Sequence, residues 1–432
     1  MKTHFLIGAA NSGAGKTTLT IGLLRVLKNR GLKVQPFKCG PDYIDTKYHA
    51  AASATEPVNL DVWLASEEHV RSIYAGYAAQ ADCCVTEGVM GLFDGYRKME
   101  GSSAAIAALL GIPVILVVNA ASSAYSVAPM IYGFMHFRPD VRVAGVIFNK
   151  VSSASHFSFL KEACSDLGIE CFGYMPDTKE ITIPSRHLGL TIGRKDEMEE
   201  YISKTASLVE EHIDVDRIIE CLPADDYNCS GNVSNDAPCS DSLRILVASD
   251  EAFNFTYREN IESLRRTGSV SFFSPLHDNK LPAADVIYLP GGYPEIFAQQ
   301  LHDNTAMKEE IRAFADGGGK IFAECGGMMY LGRTLTHGGT TYQMAGVLPI
   351  DSTMENARLT LGYRYMTYKG KMFRGHEFHY SHTVNPDAMP SEAVLYNARG
   401  MEVPVPLYRL GNVIAGYTHW YWGEHNFMDF WK

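Results

Sequence analysis

A run of apolar residues ending at Ala9 leads straight into Ala10-Asn11-Ser12-Gly13-Ala14-Gly15-Lys16-Thr17-Thr18, and an apolar helical face on Leu19, Ile21, Leu23, Leu24 and Leu27 follows. Strand, small-residue loop and helix in that order constrain the fold more than any other feature of the chain. Small residues let backbone N–H groups converge on phosphate oxygens at a helix N-terminus; a lysine reaches the outer phosphates and a hydroxyl serves Mg²⁺. Lys16 and Thr17 fill the last two positions, and Asn11, Gly13 and Gly15 belong to the cradle. Ala10 stands where the GxxxxGK[ST] pattern has its first glycine. A glycine-rich turn with a chance lysine would not account for the flanking strand and helix.

The same alternation continues. Short apolar or β-branched runs at 5–9, 33–37, 83–86, 112–118 and 143–148 are separated by helical patterns, the sign of βαβ units around a parallel sheet buried on both faces. Residues 222–242 change character, being rich in Asp, Asn, Ser, Pro and Gly, and read as a linker. A second alternation follows, with strands expected at 244–248, 270–273, 286–289 and 320–323. The expected fold class is therefore α/β, two tandem domains at 1–221 and 243–432. A length of 432 residues suits two or three domains at roughly 150 residues each.

Composition removes several classes of function. The formal charge is −11, which disfavours binding to a phosphate backbone, and no apolar run approaches the roughly 20 residues needed to cross a bilayer. The N-terminal apolar stretch is too short for a signal peptide and reads as a first strand. Nine cysteines, an odd number without CxxC pairs, suggest neither a disulfide framework nor a zinc ribbon. A reducing cytoplasm is expected, with no nucleic acid and no membrane as partner.

A nucleotide loop needs carboxylates for its metal, and these should lie at the carboxyl ends of neighbouring strands. Asp42 and Asp45 in FKCGPDYID, Glu87 directly after the 83–86 run, and Asp94 in EGVMGLFDG all meet that condition. Thr17, Asp42 and Glu87 form the expected metal group. Spacing alone does not divide metal, nucleotide and substrate roles among the four acids, and any one of them alone reads equally well as a loop carboxylate or cap.

In the second half, Lys320-Ile321-Phe322-Ala323-Glu324-Cys325-Gly326-Gly327-Met328-Met329 puts a cysteine where a buried strand turns sharply into a helix. This is the shape of a nucleophile elbow, in which the helix N-terminus is expected to lower the thiol pKa and offer N–H groups to an oxyanion. Gly291 and Gly292 of LPGGYPE, with Gly326, are the candidate oxyanion hole, and His419 is the candidate base. His376, His379 and His382 lack a metal-binding spacing, and Met328 and Met329 read as core.

With these residues in view, the chain resembles the cobyrinate a,c-diamide synthase family, the glutamine-dependent amidotransferases of corrinoid biosynthesis. The matching segments are NSGAGKTT, FKCGPDYID, TEGVMGLFDG, IPSRHLGL, LPGGYPE, ECGGMMYLG, GHEFHYS and YTHW, in that order. GPDYID and GLFDG are the more discriminating, since the phosphate loop and ECGG recur in related amidotransferases and dethiobiotin synthetase-like proteins. The resemblance implies a P-loop, dethiobiotin synthetase-like domain followed by a class I glutamine amidotransferase-like domain. It implies that Cys325, activated by His419, hydrolyses L-glutamine through a thioester, and that ammonia reaches the first domain internally. There ATP and Mg²⁺ would phosphorylate the c and then the a carboxylate of cobyrinate, and ammonia would displace phosphate. Asp42, Asp45, Glu87 and Asp94 fall on family positions tied to metal, nucleotide or substrate.

The chain departs from the family in two places. Tyr421 replaces the second histidine of an HLH pattern, leaving Tyr421, Glu424 or a backbone carbonyl to orient His419, and Asn119 stands where an aspartate is common. The same chemistry on nickel-sirohydrochlorin, cobyric acid synthesis and a non-enzymatic partitioning-type ATPase switch are the competing readings; GPDYID and GLFDG speak against the second and the Cys325 elbow against the third. A homodimer is left open.

Overall fold

The computed structural model describes residues 2–178, 181, 195–222 and 243–432. IPSRHLGL and all of the expected linker except Leu222 lie outside the described residues. The chain divides into two compact units.

The N-terminal unit is built on a seven-stranded sheet: β1 (Thr3–Ala9), β2 (Val34–Cys39), β3 (Val58–Leu60), β4 (Cys83–Glu87), β5 (Val114–Asn119), β6 (Val143–Val151) and β7 (Glu170–Pro176). Their order is β3-β2-β4-β1-β5-β6-β7, and every neighbouring pair is parallel. All seven residues of β1 are buried, as expected of a central strand covered on both faces. On one face Phe5, Ile7 and Ala9 pack with Leu19, Leu23 and Leu24 of helix α1 (Lys16–Asn29). On the other, Leu116 and Val118 pack with Ile131, Leu160 and Ala163. Each phenylalanine, isoleucine, leucine or valine among them contributes roughly 1.5–3 kcal/mol by leaving water. Because the strands are parallel, the loops after β1, β2 and β4 open at the same sheet edge, and the order reverses around β1, the place where α/β folds bind ligands. Helix α2 (Asp45–Ser53) follows the loop after β2.

The C-terminal unit has a six-stranded sheet. Its strands include β8 (Arg244–Ala248), β10 (Ser269–Phe273), β11 (Val286–Leu289) and β13 (Lys320–Glu324), with β9 (Phe253–Phe255) and β12 (Gly291–Gly292) forming a small antiparallel pair beside it. The order is β10-β8-β11-β13, then Val413–Gly416 and Leu407–Leu410. All pairs are parallel except the last. The four strands expected from sequence are present. A five-stranded antiparallel sheet, in which Thr360–Tyr368, Lys371–His379 and His419–Tyr421 are neighbours, was not anticipated.

Candidate active sites

The loop between β1 and α1 takes its shape from glycine. Gly13 and Gly15 sit at φ +77° and +101°, in the left-handed region that costs other residues strain. A side chain at position 15 would also meet Asn149, since an added Cβ would lie 2.0 Å from Nδ2. That amide, at the end of β6, donates to the carbonyl of Ala14 at 2.8 Å. Lys16 is buried, and its ammonium donates to the carbonyls of Met90 at 2.5 Å and Asn11 at 3.3 Å, which ties the loop after β4 to the phosphate loop. Burial lowers its pKa against the pull of Glu87. Asn11 itself is exposed.

Thr17, Asp45 and Glu87 converge. The Thr17 hydroxyl lies 2.7 Å from Oε1 of Glu87 and 3.2 Å from Oδ2 of Asp45. Between the same two oxygens sits the ammonium of Lys38, 2.8 Å from each. His49 holds the other Glu87 oxygen at 2.6 Å. Burial opposes charge on Lys38, but Glu87 and Asp45 outweigh it and raise its pKa; burial likewise disfavours ionised Glu87, yet Lys38 and His49 hold it well below the usual carboxylate range. A hydroxyl and two carboxylate oxygens already focused on one cationic centre are a donor set that fits Mg²⁺.

Asp45, rather than Asp42, stands with Thr17 and Glu87. Asp42 directs Oδ1 to the backbone N–H groups of Ile44 and Asp45, both at 2.9 Å, where it caps the start of α2. Burial and the Asp45 charge push its pKa up to about 6. Asp94 is exposed, and its carboxylate accepts the Gly91 N–H at 3.0 Å, closing a tight turn. Asn119 likewise accepts from Ala121 N–H. Lys38, His49 and Asn149 were not singled out from sequence; a lysine two residues before GPDYID, between Phe37 and Cys39 in a fully buried strand, was the available signal.

In the C-terminal unit Cys325 has φ +46° and ψ −105°. A non-glycine residue there costs about 1–3 kcal/mol, a strain common at catalytic turns. Its N–H bonds the carbonyl of Gly416 at 2.7 Å. Glycine is required next: a Cβ on Gly327 would lie 2.2 Å from the Leu289 carbonyl, and one on Gly326 would lie 2.8 Å from Pro294 Cδ and 3.1 Å from Gly292 N. A Cβ on Gly291 would fall 2.2 Å from Cε1 of His419. The glycines after β11 therefore press on both the elbow and the imidazole, and Gly416, three residues before His419, is paired in register with Glu324. The structure thus gathers Cys325, His419, Gly291, Gly292 and Gly326.

The expected lowering of the thiol pKa is not what the surroundings produce. Burial pushes the Cys325 thiol up, the carboxylate of Glu295 adds to this, and the Gly326 N–H opposes it. The thiol is protonated at rest and needs a base. Burial, with His376 and His379 nearby, lowers the His419 pKa to about 3, so its imidazole rests neutral. An acid that sequence reasoning passed over lies beside its ring. Oε2 of Glu324 lies 3.8 Å from Nδ1 of His419, while Tyr421 packs edge-on against Tyr257 and Glu424 is exposed.

Residues 5–190 match the CobQ/CobB/MinD/ParA nucleotide binding domain and residues 244–427 the CobB/CobQ-like glutamine amidotransferase domain. The chain is 40% identical over 433 residues to a cobyrinate a,c-diamide synthase of Listeria innocua, covering 96% of this chain and 95% of that one. It is 40% identical over 428 residues to a hydrogenobyrinate a,c-diamide synthase of Brucella abortus, covering 96% and 97%. With a cobyrinate a,c-diamide synthase of Salmonella typhimurium it shares 39% over 436 residues, covering 96% and 94%. The chain belongs to the a,c-diamide synthase family. Family membership makes it a glutamine-dependent amidating ligase with a nucleotide-binding domain, and sets aside the non-enzymatic switch. No described helix is long and apolar enough to cross a membrane.

Proposed function

We propose that the protein converts the a and c carboxylates of cobyrinate, or of the metal-free macrocycle, to amides, with glutamine as nitrogen donor and ATP as activator. The strained Cys325 turn, packed through Gly291 and Gly292 against a buried neutral His419, is the observation that carries this reading. His419 takes the thiol proton, and the Cys325 sulfur attacks the glutamine carboxamide carbon. N–H groups at Gly292 and Gly326 are suited to the resulting oxyanion. The proton passes to the leaving nitrogen, ammonia departs, and water releases glutamate from the thioester.

In the N-terminal unit the phosphate loop binds ATP, Lys16 neutralises the outer phosphates, and a macrocycle carboxylate oxygen attacks the terminal phosphorus as ADP leaves. Thr17, Asp45 and Glu87 would hold Mg²⁺, which supplies charge stabilisation for the transferring phosphoryl group. Ammonia then displaces phosphate from the acyl phosphate. A carboxylate needs this activation because its oxygen is otherwise too poor a leaving group.

Incubating the purified protein with ATP and glutamine and either cobyrinate, hydrogenobyrinate or nickel-sirohydrochlorin tests the reading. Mass shifts of two carboxyl-to-amide conversions are expected on a corrinoid, together with ADP and glutamate. Diamide formation on nickel-sirohydrochlorin alone would replace the corrinoid assignment.

A further inference from the structure

Resting on the nucleotide role proposed above for the Lys16 loop, we propose that Lys38 is a resident cation that keeps free divalent metal out of the Thr17–Asp45–Glu87 group, so that metal enters only together with nucleotide. The ammonium of Lys38 lies 2.8 Å from Asp45 Oδ2 and 2.8 Å from Glu87 Oε1. These are the same two oxygens that receive the Thr17 hydroxyl. A metal ion bound by both of them competes with the ammonium for the same two charges. Lys38 is 2% exposed and Glu87 fully buried, so neither water nor bulk salt screens the competition.

Lys38 also cannot leave cheaply. Its third close oxygen is the Gly88 carbonyl at 3.5 Å, and β2 on which it stands is buried at all six positions. A bare dication would strand a buried, unpaired ammonium beside a second positive centre, an arrangement that burial strongly disfavours. A nucleotide changes the balance, because its phosphate oxygens arrive beside Lys16 and can receive the displaced ammonium. His49, bonded to the other Glu87 oxygen, keeps that carboxylate pointed inward throughout. Metal and nucleotide binding are therefore linked through one side chain, and the linkage is reciprocal.

Free Mn²⁺, counted by its electron paramagnetic resonance signal in titrations of the full chain, tests this without any turnover. Native protein is expected to bind Mn²⁺ weakly alone and tightly with a non-hydrolysable ATP analogue. Lys38→Met should bind Mn²⁺ alone about tenfold or more tightly than native protein does. Lys38→Gln, whose amide can still donate to one carboxylate, should do the same to a smaller degree and covers a methionine variant that fails to fold. Recovery of a cooperative thermal transition by Mn²⁺ in either variant would support the same conclusion. Unchanged or weaker affinity for Mn²⁺ alone in both folded variants, with native protein still binding the metal–analogue pair, overturns the role of Lys38 and leaves the nucleotide site standing. Native protein that binds neither analogue nor metal overturns both.

Discussion

Glu324 reaches past its own neighbour: the residue before Cys325 places its carboxylate 3.8 Å from Nδ1 of His419 while accepting the Trp420 N–H at 2.8 Å and the Tyr288 hydroxyl at 2.7 Å. Both halves of the proposed cysteine–histidine pair are thereby fixed from one point of the strand. Burial pushes the Glu324 pKa up to about 8, so a neutral carboxyl is accessible to it near neutral pH. Glu324→Gln keeps the size of the side chain but removes its ability to ionise. Glutaminase kcat is expected to fall about tenfold or more with KM nearly unchanged, and the alkaline limb of the pH profile should shift. An unchanged profile would leave Glu324 as a packing residue only.

Gly291→Ala should damage glutamine hydrolysis selectively. The new methyl would lie 2.2 Å from Cε1 of His419, a distance that forces the ring to move. A loss of about a hundredfold in kcat is expected, the scale of a misplaced catalytic group. Synthesis from ammonium salts, followed by mass, should persist.

Removing the chemistry of one unit should spare that of the other. Cys325→Ala is expected to abolish use of glutamine while amides still form from added ammonium salts. Lys16→Ala should end amide formation and nucleotide binding yet leave basal release of glutamate. Loss of both reactions in a well-folded Cys325→Ala protein would count against separate sites, and normal diamide yield from Lys16→Ala would refute the loop assignment.

Acid should unfold the protein through its buried histidines. Burial lowers the pKa of His4 to about 4, of His376 to about 3, of His379 to about 4 and of His419 to about 3, against 6.5 for an exposed ring. The unfolded chain binds the more protons at these histidines in that interval, so their contribution to stability is complete above about pH 6.5 and declines as pH falls toward 3 to 4. Melting temperature measured across this range should drop progressively. His376→Gln, which removes one such group, should flatten the slope; an unaltered slope would show that other groups dominate.

The parallel sheet of the N-terminal unit was legible because its strands are apolar on both faces, and the phosphate loop because glycine, lysine and threonine leave few alternatives. β3 escaped notice, three residues being too few to display a pattern. The antiparallel sheet carrying His376 and His379 was hidden for another reason: in GHEFHYS, polar side chains are buried and Phe378 is exposed, an inversion of the usual alternation. The elbow was visible from its spacing, but the thiol's surroundings were not, since Glu295 reaches it through the fold. Spacing does not choose among four acids, because Asp42 and Asp45 are close neighbours at the start of α2 and only Asp45 reaches Thr17.

The bond from Asn149 to Ala14 spans 135 residues of sequence. Until β6 has docked beside β5, the carbonyl it fixes has no such anchor, and the pocket of the phosphate loop is only half built. A nascent chain emerging from the ribosome therefore completes its grip on nucleotide late, after nearly the whole first sheet has been synthesised.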